Sequence, residues 1–219
     1  MLNLKFFIMK SKLVFIVVLL AVIVSCSNNK SQTLKTVEYA DSLRDAIEDF
    51  ETKRKEFSEQ ITDIVENTDD KLSEDAPNLQ EVAIDWEKKW EELITDFNTI
   101  EDNFTTVGNS SAIYFQKLEE LAYSIKDDDI KQSELTKNAE LKTRWTETYI
   151  EAAESINKIR SMLIDGSDYQ KVLIASSVRQ KIEENIVELK SISEKAILLL
   201  KELETFSLEG KKLVETTSK

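Results

Sequence analysis

The chain has 219 residues, a formal net charge of −13, no histidine and one cysteine, Cys26. This composition removes the usual zinc, haem and iron–sulfur ligand sets, the Ser-His-Asp and Cys-His arrangements, and histidine acid–base work. The acidic balance opposes nucleic-acid binding, and three glycines with one proline are too few turn residues for a sheet protein.

The first readable stretch is residues 13–24, twelve apolar residues in a row. As a helix they span ~18 Å, short of the ~30 Å hydrocarbon core of a bilayer. Lys10 and Lys12 precede the run; small Ser25 and Cys26 follow it. A basic head, an apolar middle and a small-residue end is the layout of a secretory signal peptide. Met9-Lys10-Ser11-Lys12 alone supplies a complete basic head, which suggests Met9 as the true start.

Ile23-Val24-Ser25-Cys26 resembles the lipobox of bacterial lipoproteins: an aliphatic residue, a small or aliphatic one, a small one, then cysteine. The resemblance covers residues 1–26. It implies cleavage between Ser25 and Cys26, thioether lipidation of Cys26, and acylation (palmitate or a similar chain) of the new amino group. A lone cysteine cannot form an internal disulfide, and lipidation gives it a use. At ~0.8 kcal/mol per buried methylene, two acyl chains already anchor stably. Cleavage would leave 194 residues and remove three lysines, taking the net charge from −13 to −16. Residues 26–33 then read as the lipidated cysteine and a flexible polar tether. By the same resemblance, the non-acidic Ser27 is compatible with an outer-membrane lipoprotein facing the periplasm.

Residues 34–67 read as a first helix, with Leu43, Ile47, Phe50, Phe57, Ile61 and Ile64 in a heptad seam suited to shallow helix packing. Glu51 and Lys55, four apart, form a favourable surface pair. Arg54 occupies a seam position. The simpler reading has its stem covering the core and its head in water; the sharper one pairs it with a buried acid. Residues 68–75 read as a connection, with Asp75 capping the next helix and Pro77 in its first turn.

The second helix runs to about Val107. Leu79, Trp86, Leu93 and Ile100 recur every seven residues, with Ala83, Trp90, Phe97 and Phe104 beside them. Gly108-Asn109 should end it. Trp86 and Trp90 share the seam, which favours core packing over a ligand platform. Ser110 or Ser111 can cap a further helix carrying Tyr114, Leu118, Leu121 and Ile125. That seam should break at Asp127-Asp128-Asp129, because an unpaired buried carboxylate is costly. The acid run reads as a solvated junction; it lacks the pattern of a calcium loop.

The pattern resumes at residues 130–133 and runs to Asp165-Gly166, with Trp145, Tyr149, Ala152, Ile156, Ile159 and Leu163 apolar. Tyr149 fits a core-edge residue with its hydroxyl in water better than a catalytic group. Ser167-Asp168-Tyr169-Gln170 matches a capping box and opens a last helix to about Phe206, with Val172, Ile182, Ile186, Leu189, Ile192, Ala196, Leu199, Leu200, Leu203 and Phe206 on a broad face. No internal repeat is evident.

These readings give an all-α fold: an elongated antiparallel up-and-down bundle of four to five long helices with coiled-coil-like packing. Residues 34–208 form the single domain and 209–219 a polar tail. In layout and composition the bundle is generically similar to uncharacterised helical envelope lipoproteins, which carries no functional residue across. The expected function is that of a lipid-anchored cell-envelope protein with a structural or protein-interaction role and no catalysis. Its partners are the membrane, through Cys26, and a protein or a second copy, not nucleic acid. The alternative is a bundle binding an apolar or aromatic small ligand, a lipid or glycan, at Trp86, Trp90 or Trp145. No cofactor and no metal ligand set is expected.

Overall fold

The computed structural model describes residues 32–179 and 183–215, with side chains over 38–176 and 187–214. The signal segment and the tether up to residue 31 lie outside the described residues, as do the side chains of Ile182 and Ile186. Among the described residues four helices follow one another: α1 (Gln32–Leu72), α2 (Leu79–Tyr123), α3 (Asp128–Arg179) and α4 (Glu183–Glu215). Among the described residues there is no strand.

Each helix packs on two neighbours: α1 on α2, α2 on α3, α3 on α4, and α4 back on α1. Every seam is antiparallel. Phe50 and Phe57 of α1 meet Phe104 and Phe97 of α2. Trp86 and Phe104 of α2 meet Tyr169 and Tyr149 of α3. Trp145 and Ser155 of α3 meet Phe206 and Glu202 of α4. Phe50 and Arg54 of α1 meet Phe206 and Leu200 of α4. This is a four-helix up-and-down bundle.

The heptad rows account for the core. All eight residues in the two rows of α2 are buried, as are the six seam residues of α1. Phe50, Phe104, Tyr149, Trp145 and Phe206, drawn from all four helices, form one ring cluster at mid-bundle.

The helices are longer than the sequence breaks imply. Gly108 and Gly166 do not end helices; each lies inside one, so the expected third helix is the end of α2, and the expected last helix, from Ser167 to about Phe206, is divided between the end of α3 and α4. The reason is lateral. A Cβ on Gly108 would sit 2.5 Å from the Tyr149 hydroxyl, and a Cβ on Gly166 would fall inside the Trp90 ring. Both glycines supply clearance for a neighbouring ring rather than a turn. Ser167 likewise caps nothing; it lies mid-helix and donates to the Leu163 carbonyl at 3.0 Å. α4 continues through Gly210 to Glu215, and Leu213 and Val214 of the expected polar tail are buried.

The α1–α2 connection is also shorter than residues 68–75. Thr68 is buried within α1, which runs to Leu72. The cap of α2 is Asn78, not Asp75: its side chain accepts from the Glu81 amide at 3.3 Å, and Pro77 precedes the helix. The acid run is a helix start. Asp127 Oδ1 accepts from the Ile130 amide at 3.0 Å, and Lys131 reaches Asp128 at 2.9 Å. Acids at the first turn of α3 complement the exposed amides there.

Candidate functional site

Ser25 and Cys26, the expected cleavage and lipidation site, lie outside the described residues. The structure brings Trp86 and Trp90 together and keeps Trp145 apart. The two indoles stack at 4.6 Å and 14° between ring planes, both buried. Trp86 Nε1 donates to the Gly166 carbonyl and Trp90 Nε1 to the Leu163 carbonyl, each at 2.8 Å. Tyr169 closes the edge of Trp86 at 4.8 Å. The polar handle of each indole is thus used by the bundle itself. Trp145 is buried at mid-bundle against Phe206 and near Gly210.

Tyr149 differs from the sequence reading. Its ring stacks on Phe104 at 4.4 Å and its hydroxyl turns over Gly108 toward the Phe104 carbonyl, 3.5 Å away. Burial pushes its hydroxyl pKa up. Arg54 also follows the sharper reading. It is buried with Glu51, donating from Nε and Nη2 at 2.8 Å each, and Nη1 reaches the Leu200 carbonyl of α4 at 3.2 Å. Burial alone would raise the Glu51 carboxyl. The hydrogen bond and charge of Arg54, backed by Ser207 and Lys55, outweigh it and hold the group below the usual carboxylate range.

Three recesses adjoin one another along the outer α3–α4 seam. At one end Leu141, Arg144, Trp145, Thr148, Glu209 and Leu213 surround about 250 Å³. Thr148 is shared with a central recess of about 360 Å³, bounded by Glu151, Glu154, Ser155, Glu202 and Thr205. Lys158 is shared with a third, of about 300 Å³, where Met162, Leu198 and Leu199 make an apolar pocket. The three form one open groove along ~36 Å of α3, at ~1.5 Å per residue. At its centre Ser155 Oγ donates to Glu202 Oε2 at 2.5 Å, joining α3 to α4. The corresponding recess on the α1–α2 seam, at Lys53, Gln60 and Asp96, is about 80 Å³.

The acids of this groove, Glu151, Glu154 and Glu202, lie outside the apolar rows of their helices, and only the antiparallel pairing of α3 with α4 brings them together. The ends of the groove carried a weak signal: Leu198 sits beside seam residue Leu199, off the main heptad phase, and is left exposed. Among the described residues, no group of three or more acids could hold a metal ion. None of the described helices is long and apolar enough to cross a membrane. Comparison with protein-family models, curated proteins and solved structures gave no match.

Proposed function

We propose that this chain is a lipid-anchored protein of the bacterial cell envelope, non-catalytic, held through Cys26 and docking a protein partner along the α3–α4 groove. The observation that carries the docking role is the groove itself: a helix-length run of recesses on one seam, against about 80 Å³ on the α1–α2 seam. Its lining selects the occupant. Three carboxylates, Glu151, Glu154 and Glu202, face one ammonium, Lys158, at the centre, and Met162, Leu198 and Leu199 offer an apolar seat beyond. A partner helix with basic residues at mid-length and an aliphatic anchor toward one end fits that sequence of surfaces. Two copies docked groove to groove about a twofold axis would oppose acid to acid. The Ser155–Glu202 bond pins the two helices in this reading and performs no chemistry. Attachment rests on the lipobox resemblance, which also supports an envelope location with the outer membrane as one destination.

The alternative, a small apolar or aromatic ligand, draws support from Trp145, which lines the 250 Å³ recess. Trp86 and Trp90 give it little, since both indoles are buried and hydrogen-bonded to α3.

The test uses the full-length protein in cells, with a photo-cross-linking residue at Leu198, at Glu154, or at exposed Glu59 on α1 as control. A discrete adduct from both groove positions, absent at Glu59 and lost on Glu151→Lys/Glu202→Lys, supports docking. Identical patterns from all three positions sink it. Cys26→Ala should move the protein from the membrane to the soluble fraction; full retention at the membrane would overturn the anchor.

A further inference from the structure

The turn between α2 and α3 is Ser124-Ile125-Lys126-Asp127, and three large apolar side chains stand exposed around it. Leu121 is 42 % exposed, Tyr123 61 % and Ile130 54 %. Leu121 follows Tyr114 and Leu118 at helical spacing, but Ala122 takes the buried position beside it and leaves Leu121 facing outward. The α1–α2 turn at the opposite end differs. Its exposed residues are Ser73, Glu74, Asp75, Ala76 and Asn78, none of them large and apolar.

The α2–α3 tip lies at the end where α1 begins. Lys117 of α2 sits 5.6 Å over the Tyr39 ring of α1, and Asn138 of α3 donates to the Leu118 carbonyl at 3.2 Å. Extending the antiparallel pairing of Phe50 with Phe104 and Tyr39 with Lys117 places Tyr123 level with the first turn of α1. Cys26 precedes Gln32 by six residues. Even fully extended, that length reaches only ~20 Å. A lipid on Cys26 therefore holds this tip, and not the opposite end, beside the bilayer.

We infer that Leu121, Tyr123 and Ile130 form a second membrane contact, a shallow apolar tip that rests in the lipid interface and sets the bundle's orientation. This rests on the lipid-anchor reading above. The chemistry suits an interface. Tyrosine is favoured where one end of the ring is apolar and the other wet, and a few aliphatic side chains suffice when a covalent lipid already supplies attachment. The neighbouring charges set the surface. At the same tip Lys117, Lys126 and Lys131 stand among Glu119, Glu120, Asp127, Asp128 and Asp129, and Lys117 is paired with Glu120 at 2.6 Å. Asp127 is engaged by the α3 amide and Asp128 by Lys131, so the tip has little net pull toward anionic headgroups. A largely zwitterionic surface is the occupant it fits.

The experiment uses the full-length protein, lipidated at Cys26, in vesicles of phosphatidylethanolamine with a minor phosphatidylglycerol fraction. Lipidation leaves no other thiol, so Ser124→Cys at the tip or Ala76→Cys at the opposite end takes one environment-sensitive fluorophore. Nitroxide-bearing lipids then report depth. The expected result is several-fold stronger quenching and a blue shift at position 124, with position 76 as in water. Leu121→Ser/Tyr123→Ser/Ile130→Ser should reduce quenching at 124 to the level at 76 while the protein still floats with the vesicles. Equal quenching at both positions on floating protein overturns the tip and leaves the anchor standing. A blue shift without quenching means another protein surface covers the tip, which also overturns it. Failure of the lipidated protein to float removes the anchor reading and this inference together.

Discussion

Two seams of one bundle are held by opposite means. Between α2 and α3, stacked Trp86 and Trp90 lie against a glycine, and their N–H groups are bonded to backbone carbonyls. That core contact holds no charge; the ion pair of this seam, Arg160 with Glu101, lies at its rim. Between α1 and α4 the core admits an ion pair, Arg54 with Glu51, tied across to the Leu200 carbonyl and within 4.0 Å of Glu204. At the indole seam the two N–H bonds and the glycine clearance set the register, whereas apolar contact alone is non-directional and tolerates sliding by a turn. A buried charge with one set of partners does not. The comparison teaches a division of labour: the indole seam supplies stability, while the charged seam fixes which turn of α4 faces which turn of α1.

Removing the largest side chain of the indole seam should have the largest effect. Trp90→Ala should cost about 3–5 kcal/mol, read as a lower urea midpoint at unchanged slope. An unchanged midpoint would break the claim that this seam carries stability. On the charged seam, Glu51→Ala should cost about 3 kcal/mol, the lower end for a broken buried pair, because Glu204 and the Leu200 carbonyl still face Arg54. Glu51→Leu with Arg54→Met should recover most of that loss in the same urea measurement. If the double variant also keeps one set of sharp amide resonances, the pair is dispensable for register and the division fails.

The indole seam was legible in the sequence because its signal is periodic. Leu79, Ala83, Trp86, Trp90, Leu93, Phe97, Ile100 and Phe104 keep phase without a gap, and all are buried. The charged seam was half legible. Arg54 stands in the apolar phase, but whether its head reaches water depends on α4, which periodicity on α1 does not encode. The glycines misled for the same reason. Gly108 and Gly166 look like helix ends in one dimension, whereas the rings that require them lie about forty and seventy-five residues away in the chain. The groove between α3 and α4 was not legible, because its acids, Glu151, Glu154 and Glu202, are brought together only by the antiparallel pairing, while Trp145, Ala152, Leu199 and Phe206 read simply as seam residues.

Acid and alkali should separate the two seams. Glu51 is held below its ordinary value of 4.5. The folded state therefore binds fewer protons than the unfolded chain, and the contribution is full above about 4.5 and lost as pH falls through the lower folded value. Asp85, lowered by its Lys71 hydrogen bond, adds to the same acid limb. On the indole seam the sign reverses. Burial, then the charges of Glu188 and Asp69, push Tyr169 far above 10.0, and burial raises Tyr149. Their contribution is full below about 10 and lost as pH rises toward the folded values. In melting temperature against pH, Glu51→Gln should flatten the acid slope and leave the alkaline one. Tyr169→Phe should do the converse. Equal flattening of both limbs by either variant would blur the comparison.

The smallest effect is the most discriminating, because it asks whether a glycine is needed for its space or merely tolerated. Alanine gains about 1 kcal/mol over glycine inside any helix. At Gly166 the new Cβ would enter the Trp90 indole, which is locked by its stack and its hydrogen bond, so overpacking should outweigh the gain by about 2 kcal/mol. At Gly210 the nearest atom is Ile47 Cδ1 at 2.7 Å, the far end of a flexible side chain, with the Trp145 ring at 3.1 Å. Ile47 can turn away, and Gly210→Ala should fall within about 0.5 kcal/mol of the parent protein once the helix gain is included. Urea midpoints of the two single variants check the contrast. Equal losses at both sites would mean that Ile47 is as tightly held as the stacked indole, and the indole seam would lose its claim to be the rigid half of the bundle.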